Sequence, residues 1–457
     1  MHPRACVDSL SMPLPEDILK RKWAGDLEGA IRAIDCRLKH ELPDALRARL
    51  ECEKERIRRL PTQYPYTREQ ALEKLRELVP SATEEQFDLW ELEGRIDFIY
   101  IQGEKRYFIR ALRSIALHPD LKRQAGREVT PVNDWLDPMI HEIKEKGSLS
   151  RRITMEASVY VEKEDFVPGE YLLHLPFPAV SAQQSDICLL SGDPDGIAPE
   201  DAPARTVYWR RKLSAWQEFA VRYAYVSTIR YADPLHQPRP AAPLYPNVAP
   251  PCADDLAEFG AFMRFTPYLT SLSQELAAGA TTDVDKAWRY YEFVTTKVDY
   301  SYMRDYFQID HINEFCAVNL RGDCGLQALL FILLCRIGGI PARWQSGLSI
   351  SQDYAGSHDW AQFYVEGWGW LFADCSYGGS AYRHGSNERH QFFFGNLDPM
   401  RMVANRTFQA ELTPELSVLR VDPYDNQSGE VECIGAALPF TMRQLDGRAE
   451  LIGYETL

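Results

Sequence analysis

One stretch of the sequence constrains the fold more than any other. Residues 324–334 read Cys-Gly-Leu-Gln-Ala-Leu-Leu-Phe-Ile-Leu-Leu, so a helix built from them is apolar nearly all the way round. Such a helix belongs in the interior of a domain rather than at its surface. Gly338 and Gly339, followed by Pro341, indicate where this helix ends. The sequence therefore predicts a buried helix around which the last part of the chain folds.

The first turn of this helix carries a reactive type of side chain. Asp323 is placed to be the N-cap, which makes Cys324 the first helical residue. Free backbone N–H groups and the positive end of the helix dipole favour a thiolate over a thiol at such a position. Cys335, deep in the same helix, is instead expected to be a small core residue. Cys324 is therefore the predicted nucleophile.

Composition and charge argue against some classes of binding partner. The chain has 457 residues, of which 45% are hydrophobic and 26% charged, as is typical of a soluble globular protein with several domains. Its net charge is -15, yet residues 1–125 are nearly balanced, with 23 basic and 22 acidic residues. The remainder therefore carries the negative excess, which argues against nucleic acid or an anionic membrane as a partner.

The cysteines and the N-terminus indicate the compartment. The ten cysteines are scattered, without a Cys-x-x-Cys pair. The sequence contains no apolar run of about 18 residues and no basic region followed by an apolar stretch, so we expect neither a membrane span nor a signal peptide. Scattered cysteines then favour a reducing compartment, and we expect the cytoplasm. Neither His311 with Cys316 nor His384 with His390 has zinc-ligand spacing, so we expect no metal and no cofactor.

Hydrophobic periodicity divides the chain into three predicted domains. Residues 1–125 are predicted to be mainly helical, with a β-hairpin over 94–109, and we recognise no chemistry in this region. Residues 126–250 are β-rich and sandwich-like. They end in the proline-rich segment 233–251, which fits either a stiff spacer or a polyproline ligand for an SH3-type partner.

Residues 251–457 form the last predicted domain, in which helices come first and strands second. Helices are expected over 259–277 and 283–296, and a polar loop over 303–319 then leads to the Cys324 helix. After Pro341 the period changes to that of strands, which we expect to continue to the C-terminus, including 416–421, 430–433 and 449–454. This order of elements is typical of an α+β fold.

A histidine and an aspartate come together in the strands that follow the helix. His358 and Asp374 have the same parity across a predicted hairpin that turns near Gly367. They are direct cross-strand partners if the loop centres on Glu366, and diagonal neighbours, about 7–8 Å apart at the backbone, if it centres on Gly367. A shift by one residue would place them on opposite faces of the sheet. The hairpin therefore presents the base and the orienting acid that a thiolate nucleophile needs.

These residues resemble the transglutaminase-like superfamily. Residues 322–325, 338–343 and 356–360, together with Asp374, carry the resemblance, which is strong over about 280–380. The family implies an α+β, papain-like core in which a buried N-terminal helix bearing the cysteine packs on an antiparallel sheet. Here the core is preceded by a β-sandwich-like domain and a mainly helical N-terminal domain.

The resemblance implies a catalytic triad of Cys324, His358 and Asp374, and acyl transfer through a thioester. Cys324 would attack an amide carbonyl of a peptide or protein, and His358, oriented by Asp374, would protonate the leaving amine. The backbone N–H of Cys324 is a natural oxyanion donor, and Tyr300–Tyr302 is a candidate source of a second one. We expect hydrolysis, as by a cysteine protease or amidohydrolase. The alternatives are a protein-glutamine transglutaminase or deamidase, a non-catalytic binding scaffold, and a redox or metal protein.

Overall fold

The computed structural model describes residues 3–118, 135–436 and 438–457. The predicted domain boundary between residues 125 and 126 lies outside these residues. In the described part of the chain, no helix combines the length and the apolar character that crossing a bilayer requires.

Helices and one hairpin make up residues 3–118. Local side chains explain where several helices begin: Asp26 accepts a hydrogen bond from the Gly29 N–H (2.9 Å), and Thr67 and Thr83 each form a capping box. The hairpin turns through Gly103, whose φ of 83° favours glycine. The elements are α1 Pro3–Asp8, α2 Glu16–Trp23, α3 Leu27–Leu38, α4 Asp44–Gln63, α5 Arg68–Leu78, α6 Glu84–Leu92, β1 Phe98–Ile101, β2 Glu104–Tyr107 and α7 Ala111–Ala116.

The next region is β-rich, as its alternating sequence predicts. Strand β3 shows why, because buried side chains alternate with half-buried ones along most of its length. The elements are α8 Leu136–Lys146, β3 Ser148–Val161, β4 Gly169–Pro176, β5 Gln184–Ser191, β6 Gly196–Ile197, β7 Thr206–Leu213 and β8 Phe219–Arg230.

A five-stranded antiparallel sheet and the cysteine helix form the centre of the following region. Its elements are α9 Pro267–Leu276, α10 Asp283–Lys297, β9 Asp299–Tyr300, α11 Ile312–Asn319, β10 Arg321–Gly322, α12 Cys324–Ile337, β11 Ala342–Ile350, β12 Ala355–Val365, β13 Gly369–Ala373, α13 Cys375–Arg383, α14 Asn387–Phe392, β14 Phe394–Gly395 and β15 Arg401–Asn405. The strand order is β14-β13-β12-β11-β15. Helix α12 packs on this sheet through pairs such as Phe331 and Phe363, whose ring centroids are 5.6 Å apart. The predicted α+β core is therefore confirmed.

Helix α12 matches its sequence prediction closely. It begins at Cys324, with Asp323 as N-cap, and Gly338 is its C-cap, followed by Gly339 with a φ of 83°. Its residues from Gly325 to Cys335 are all buried. Two features before it were not predicted. The segment 259–277 is helical only from Pro267, and the expected polar loop before the cysteine contains the helix α11.

The last strands pair with the β-rich region instead of extending the central sheet. Strands β16 Glu430–Cys433 and β17 Leu445–Thr456 complete two four-stranded antiparallel sheets, with orders β16-β4-β7-β6 and β17-β3-β8-β5. The strands predicted at 430–433 and 449–454 are therefore present, whereas the predicted strand over 416–421 is wrong, because these residues form no strand. An alternating pattern identifies a strand but not its partner, because pairing is decided by distant residues. The domain limits 126–250 and 251–457 themselves stay predictions.

The proline-rich segment 233–251 packs on the turn between β12 and β13. The Leu244 N–H donates to the Trp368 carbonyl oxygen (3.1 Å), and the Trp370 indole N–H donates to the Ala249 carbonyl oxygen (2.9 Å). The buried Tyr245 ring contacts Phe372 of β13. The segment is therefore attached to the central sheet along its length, which a free spacer would not be.

Candidate active site

A cleft of about 1050 Å³ lies where the three regions meet. Cys324 and His358 both line it. One wall comes from the N-terminal helices, including Arg110, and another from the segment before β16, including Gln427. The cleft therefore contains two of the three predicted catalytic residues together with residues distant from them in the sequence.

Hydrogen bonds at the start of α12 fix the position of the cysteine. The Asp323 carboxylate accepts from the Leu326 N–H (3.3 Å) and from the Tyr306 hydroxyl (2.6 Å). The next residue must be small, because a Cβ on Gly325 would lie 2.0 Å from the Tyr306 hydroxyl oxygen. Cys324 is thus held on the first turn of a rigid, buried helix.

The thiol of Cys324 is bound to an aspartate rather than to the histidine. Its Sγ donates to Asp359 Oδ2 at 3.2 Å, and no hydrogen bond joins it to His358. Burial raises the pKa of the Cys324 thiol well above its ordinary value, and the negative charges of Asp359 and Asp323 add to this rise. This arrangement therefore favours the thiol, in opposition to the helix dipole, which favours the thiolate.

The predicted base and orienting acid are in direct contact. His358 Nε2 lies 2.7 Å from Asp374 Oδ2. Strands β12 and β13 pair Ala361 with Ala373, which centres the turn on Gly367 and makes His358 and Asp374 diagonal neighbours. The second of the two predicted registers is thus confirmed.

A network of donors holds Asp374 ionised. The guanidinium of Arg401 donates to Asp374 Oδ2 (2.7 Å), and the Tyr377 N–H donates to Oδ1 (2.9 Å), since Asp374 is also the N-cap of α13. Burial opposes ionisation, but the charges of His358 and Arg401 outweigh it and hold the pKa of Asp374 below its usual value. Arg401 is in turn paired with Asp398 (2.7 Å).

The Asp374 contact determines which nitrogen of His358 is available for chemistry. An ionised carboxylate only accepts hydrogen bonds, so Nε2 carries the proton that it donates to Asp374. In the neutral form of the ring Nδ1 is then the nitrogen with a free lone pair, and it forms no hydrogen bond with the described residues. Because His358 lines the cleft, Nδ1 is placed to act as a base toward it.

Asp359, which accepts from the thiol, is itself in contact with a second carboxyl group, that of Asp425. Asp359 Oδ1 accepts from the Gln427 amide (2.7 Å), and Asp425 Oδ1 accepts from the hydroxyl of Ser346 (2.6 Å) and the amide of Asn405 (2.6 Å). Burial raises the pKa of both carboxyls, and the charge of Asp425 raises that of Asp359 further. Two such groups in contact share one proton.

The sequence contained a signal for Asp359 that the prediction did not use. Asp359 has the same parity as Phe363, and Phe363 packs on Phe331 of the cysteine helix. The alternation that turns His358 toward Asp374 therefore turns Asp359 toward α12. Nothing local pointed to Asp425 or Gln427.

Other predicted features have structural roles. Cys335 is fully buried, as expected of a core residue. Trp360 is buried and donates its indole N–H to Gln345 (2.8 Å). His390 lies 2.8 Å from the Thr295 hydroxyl, and His384 lies 2.8 Å from the Ser380 carbonyl oxygen. Among the described residues, no group of three or more His, Cys, Asp or Glu side chains could hold a metal ion.

Comparison with solved structures returns distant likenesses. A candidate cysteine protease from Cytophaga hutchinsonii is 13% identical, with a TM-score of 0.39, and the match covers 68% of this chain and 90% of that one. The periplasmic domain of TgpA from Pseudomonas aeruginosa is 15% identical, with a TM-score of 0.26, and the match covers 55% of this chain and 96% of that one. No curated protein sequence matches the chain.

A family model gives the more specific result. The model described as the transglutaminase-like superfamily matches residues 270–375. This range begins in α9 and ends just after Asp374, so it spans the cysteine helix, the histidine strand and the orienting aspartate. The described match is therefore between residues 270–375 and the transglutaminase-like superfamily.

Proposed function

We propose that the protein is a cysteine-dependent hydrolase that cleaves an amide bond of a peptide or protein. The observation that carries the proposal is the cleft that brings together Cys324 on a helix N-terminus and His358, which is fixed by Asp374. A nucleophile, a base and an orienting group are the elements of covalent catalysis. The membership of residues 270–375 in a superfamily of cysteine enzymes supports the same conclusion.

The first step forms a thioester. The Cys324 side chain turns from Asp359 toward His358, and Nδ1 takes the thiol proton. The thiolate attacks the amide carbonyl, and the backbone N–H of Cys324 stabilises the oxyanion. The imidazolium returns the proton to the amide nitrogen, the C–N bond breaks, and the amine leaves.

The second step hydrolyses the thioester. Nδ1 of His358 takes a proton from a water molecule as its oxygen attacks the thioester carbonyl. The C–S bond then breaks, a carboxylic acid leaves, and Cys324 recovers its proton from the imidazolium. Asp374 and Arg401 keep the ring in one orientation in both steps, because together they hold Nε2 in place. An amine in place of water would give the transglutaminase outcome.

The proposal is tested with a Cys324→Ala variant and a peptide library. The unmodified protein should cleave peptides, with incorporation of ¹⁸O from labelled water into the new carboxyl groups, whereas the variant should show no cleavage. Cys188→Ala is the matched control, because this cysteine is exposed on β5 and does not line the cleft. Unchanged turnover in the Cys324→Ala protein would end the proposal. Capture of an added primary amine, with no acid product, would assign a transferase instead.

We also propose a reducing compartment, the cytoplasm, as the place of action. All ten cysteines are free, and several, such as Cys36 and Cys188, are exposed to solvent. Free exposed thiols persist where the surroundings keep them reduced. Fractionation of cells that produce the protein, followed by immunodetection, checks this location.

A further inference from the structure

Two arginines of the N-terminal helices face the cleft without an acidic partner. Arg110 is the N-cap residue of α7 and Arg113 lies on its first turn, and both line the cleft. Neither guanidinium forms an ion pair or hydrogen bond with the described residues. Two other arginines at the cleft are paired, Arg59 with Glu55 (2.6 Å) and Arg304 with Asp97 (3.2 Å), whereas Arg443 forms no ion pair with the described residues. The chain has 66 acidic and 51 basic residues, so a shortage of carboxylates does not explain why Arg110 and Arg113 lack an acidic partner.

The structure holds Arg110 in place by stacking. Its guanidinium lies 4.0 Å from the centroid of the Tyr302 ring. Such a contact uses one face of the planar group and leaves its N–H edges open. The Tyr302 N–H donates to Ser114 Oγ of α7 (2.9 Å), which ties the helix to the segment that precedes the nucleophile. The arginine is therefore preorganised, and its orientation does not depend on a bound partner.

The positive charge reaches the catalytic end of the cleft. Burial raises the pKa of Asp323, the residue before Cys324, and the charge of Arg110 opposes this rise. On the other side of the cleft, burial raises the pKa of Tyr354, and both Arg110 and Arg113 oppose it. The two guanidinium groups thus act on the space between α7, the nucleophile and the turn before β12.

We propose that Arg110 and Arg113 bind a carboxylate of the substrate, so that the substrate class is a peptide with an acidic group near the scissile amide. This inference rests on the proposed function. A guanidinium presents paired N–H donors that match the two oxygens of a carboxylate. The lining of the cleft also includes the acidic residues Asp422, Glu430 and Asp446, which disfavour a polyanion. The carboxylate comes from an acidic side chain or from the peptide C-terminus.

The first test compares two alkylating reagents that differ in charge. Iodoacetate carries a carboxylate and iodoacetamide does not, and the rate of modification of Cys324 by each is followed by mass spectrometry. For each protein, the ratio of the iodoacetate rate to the iodoacetamide rate is divided by the same ratio for the chain unfolded in urea. This normalised ratio should fall about tenfold in the Arg110→Gln, Arg113→Gln double variant, which is the lower end of the range for charge-assisted hydrogen bonds. The control is Arg32→Gln, which removes one exposed charge of α3 outside the cleft.

An unchanged ratio in the double variant would overturn the inference. The ratio can be measured even if Cys324 reacts slowly with both reagents. A protein without turnover would therefore refute the proposed function and still allow this test of the arginines. A second measurement identifies the source of the carboxylate through protection of Cys324 from iodoacetamide. The probes are acetyl-Ala-Glu-Ala-amide, acetyl-Ala-Gln-Ala-amide and acetyl-Ala-Gln-Ala with a free C-terminus. Protection by the first or third peptide, lost in the double variant, supports the inference, whereas equal protection by all three contradicts it.

Discussion

Replacement of Asp359 by asparagine should make Cys324 more reactive near neutral pH. In the resting structure the thiol donates to Asp359 at 3.2 Å, and the negative charge there raises the pKa of the thiol. Asparagine keeps the size of the side chain and can still donate to Asp425. The pair keeps its one negative charge, but the substitution confines that charge to Asp425 and removes it from the group that accepts the thiol proton, while the neighbouring hydrogen bonds stay largely satisfied.

The size of the effect follows from the geometry. A unit charge about 4 Å away, at an effective dielectric constant of about 20, interacts by ~4 kcal/mol. Asp359 shares one negative charge with Asp425, so about half of this, ~2 kcal/mol, acts from Asp359 on the thiolate; confined to Asp425, at roughly twice the distance, the same half charge still acts by ~1 kcal/mol. Since one pKa unit corresponds to about 1.4 kcal/mol, the remaining difference of ~1 kcal/mol should lower the pKa of Cys324 by ~0.7 units in the variant.

The assay is the rate of alkylation by iodoacetamide as a function of pH. The peptide that contains Cys324 is quantified by mass spectrometry, and the midpoint of the rate profile reports the thiol pKa. Asp353→Asn, an exposed position on the loop before β12, is the control for the loss of one charge and should not move the midpoint. A midpoint that stays within about 0.3 units of the unmodified protein, or that moves upward, would refute the reasoning.

Two further substitutions test the supports of the site. Asp374→Asn should lower kcat/KM by roughly 10²–10⁴-fold without abolishing activity, because the ring of His358 loses its ionised partner. Steady-state kinetics checks this, with Asp353→Asn as the control. An unchanged kcat/KM in the Asp374→Asn protein would contradict the prediction. Gly325→Ala should destabilise the protein by about 1–3 kcal/mol, because its Cβ would meet the Tyr306 hydroxyl at 2.0 Å. Urea unfolding measures this loss, Gly453→Ala is the control with open space around its Cβ, and equal stabilities would show that Tyr306 moves aside freely.

Local features of the site were readable from the sequence because their interactions span only a few residues. The N-cap bond from Leu326 N–H to Asp323 joins positions three apart, and the pair of glycines ends the same helix. The contact of His358 with Asp374 follows from the period of two in a hairpin, once the turn is placed at Gly367. These rules predicted the cysteine helix, the base and the orienting acid.

Features that depend on distant segments were not readable in this way. Strands β16 and β17 have an evident strand pattern, yet their partners β4 and β3 lie more than 200 residues earlier. The helix α11 was read as a loop, because its short sequence carries a weak periodic signal. The groups that oppose a thiolate at Cys324 were not readable either, since a helix dipole is local, whereas the carboxylate of Asp359 comes from another strand.

The sequence by itself determined which residues are the candidate nucleophile, base and orienting acid, because short-range capping and strand alternation specify each of them. Only the tertiary structure decided what surrounds them. It placed Asp359 against the thiol, Arg401 against Asp374, and Arg110 in the lining of the same cleft. These contacts join segments far apart in the chain, and packing of the whole fold, rather than any local preference, brings them together.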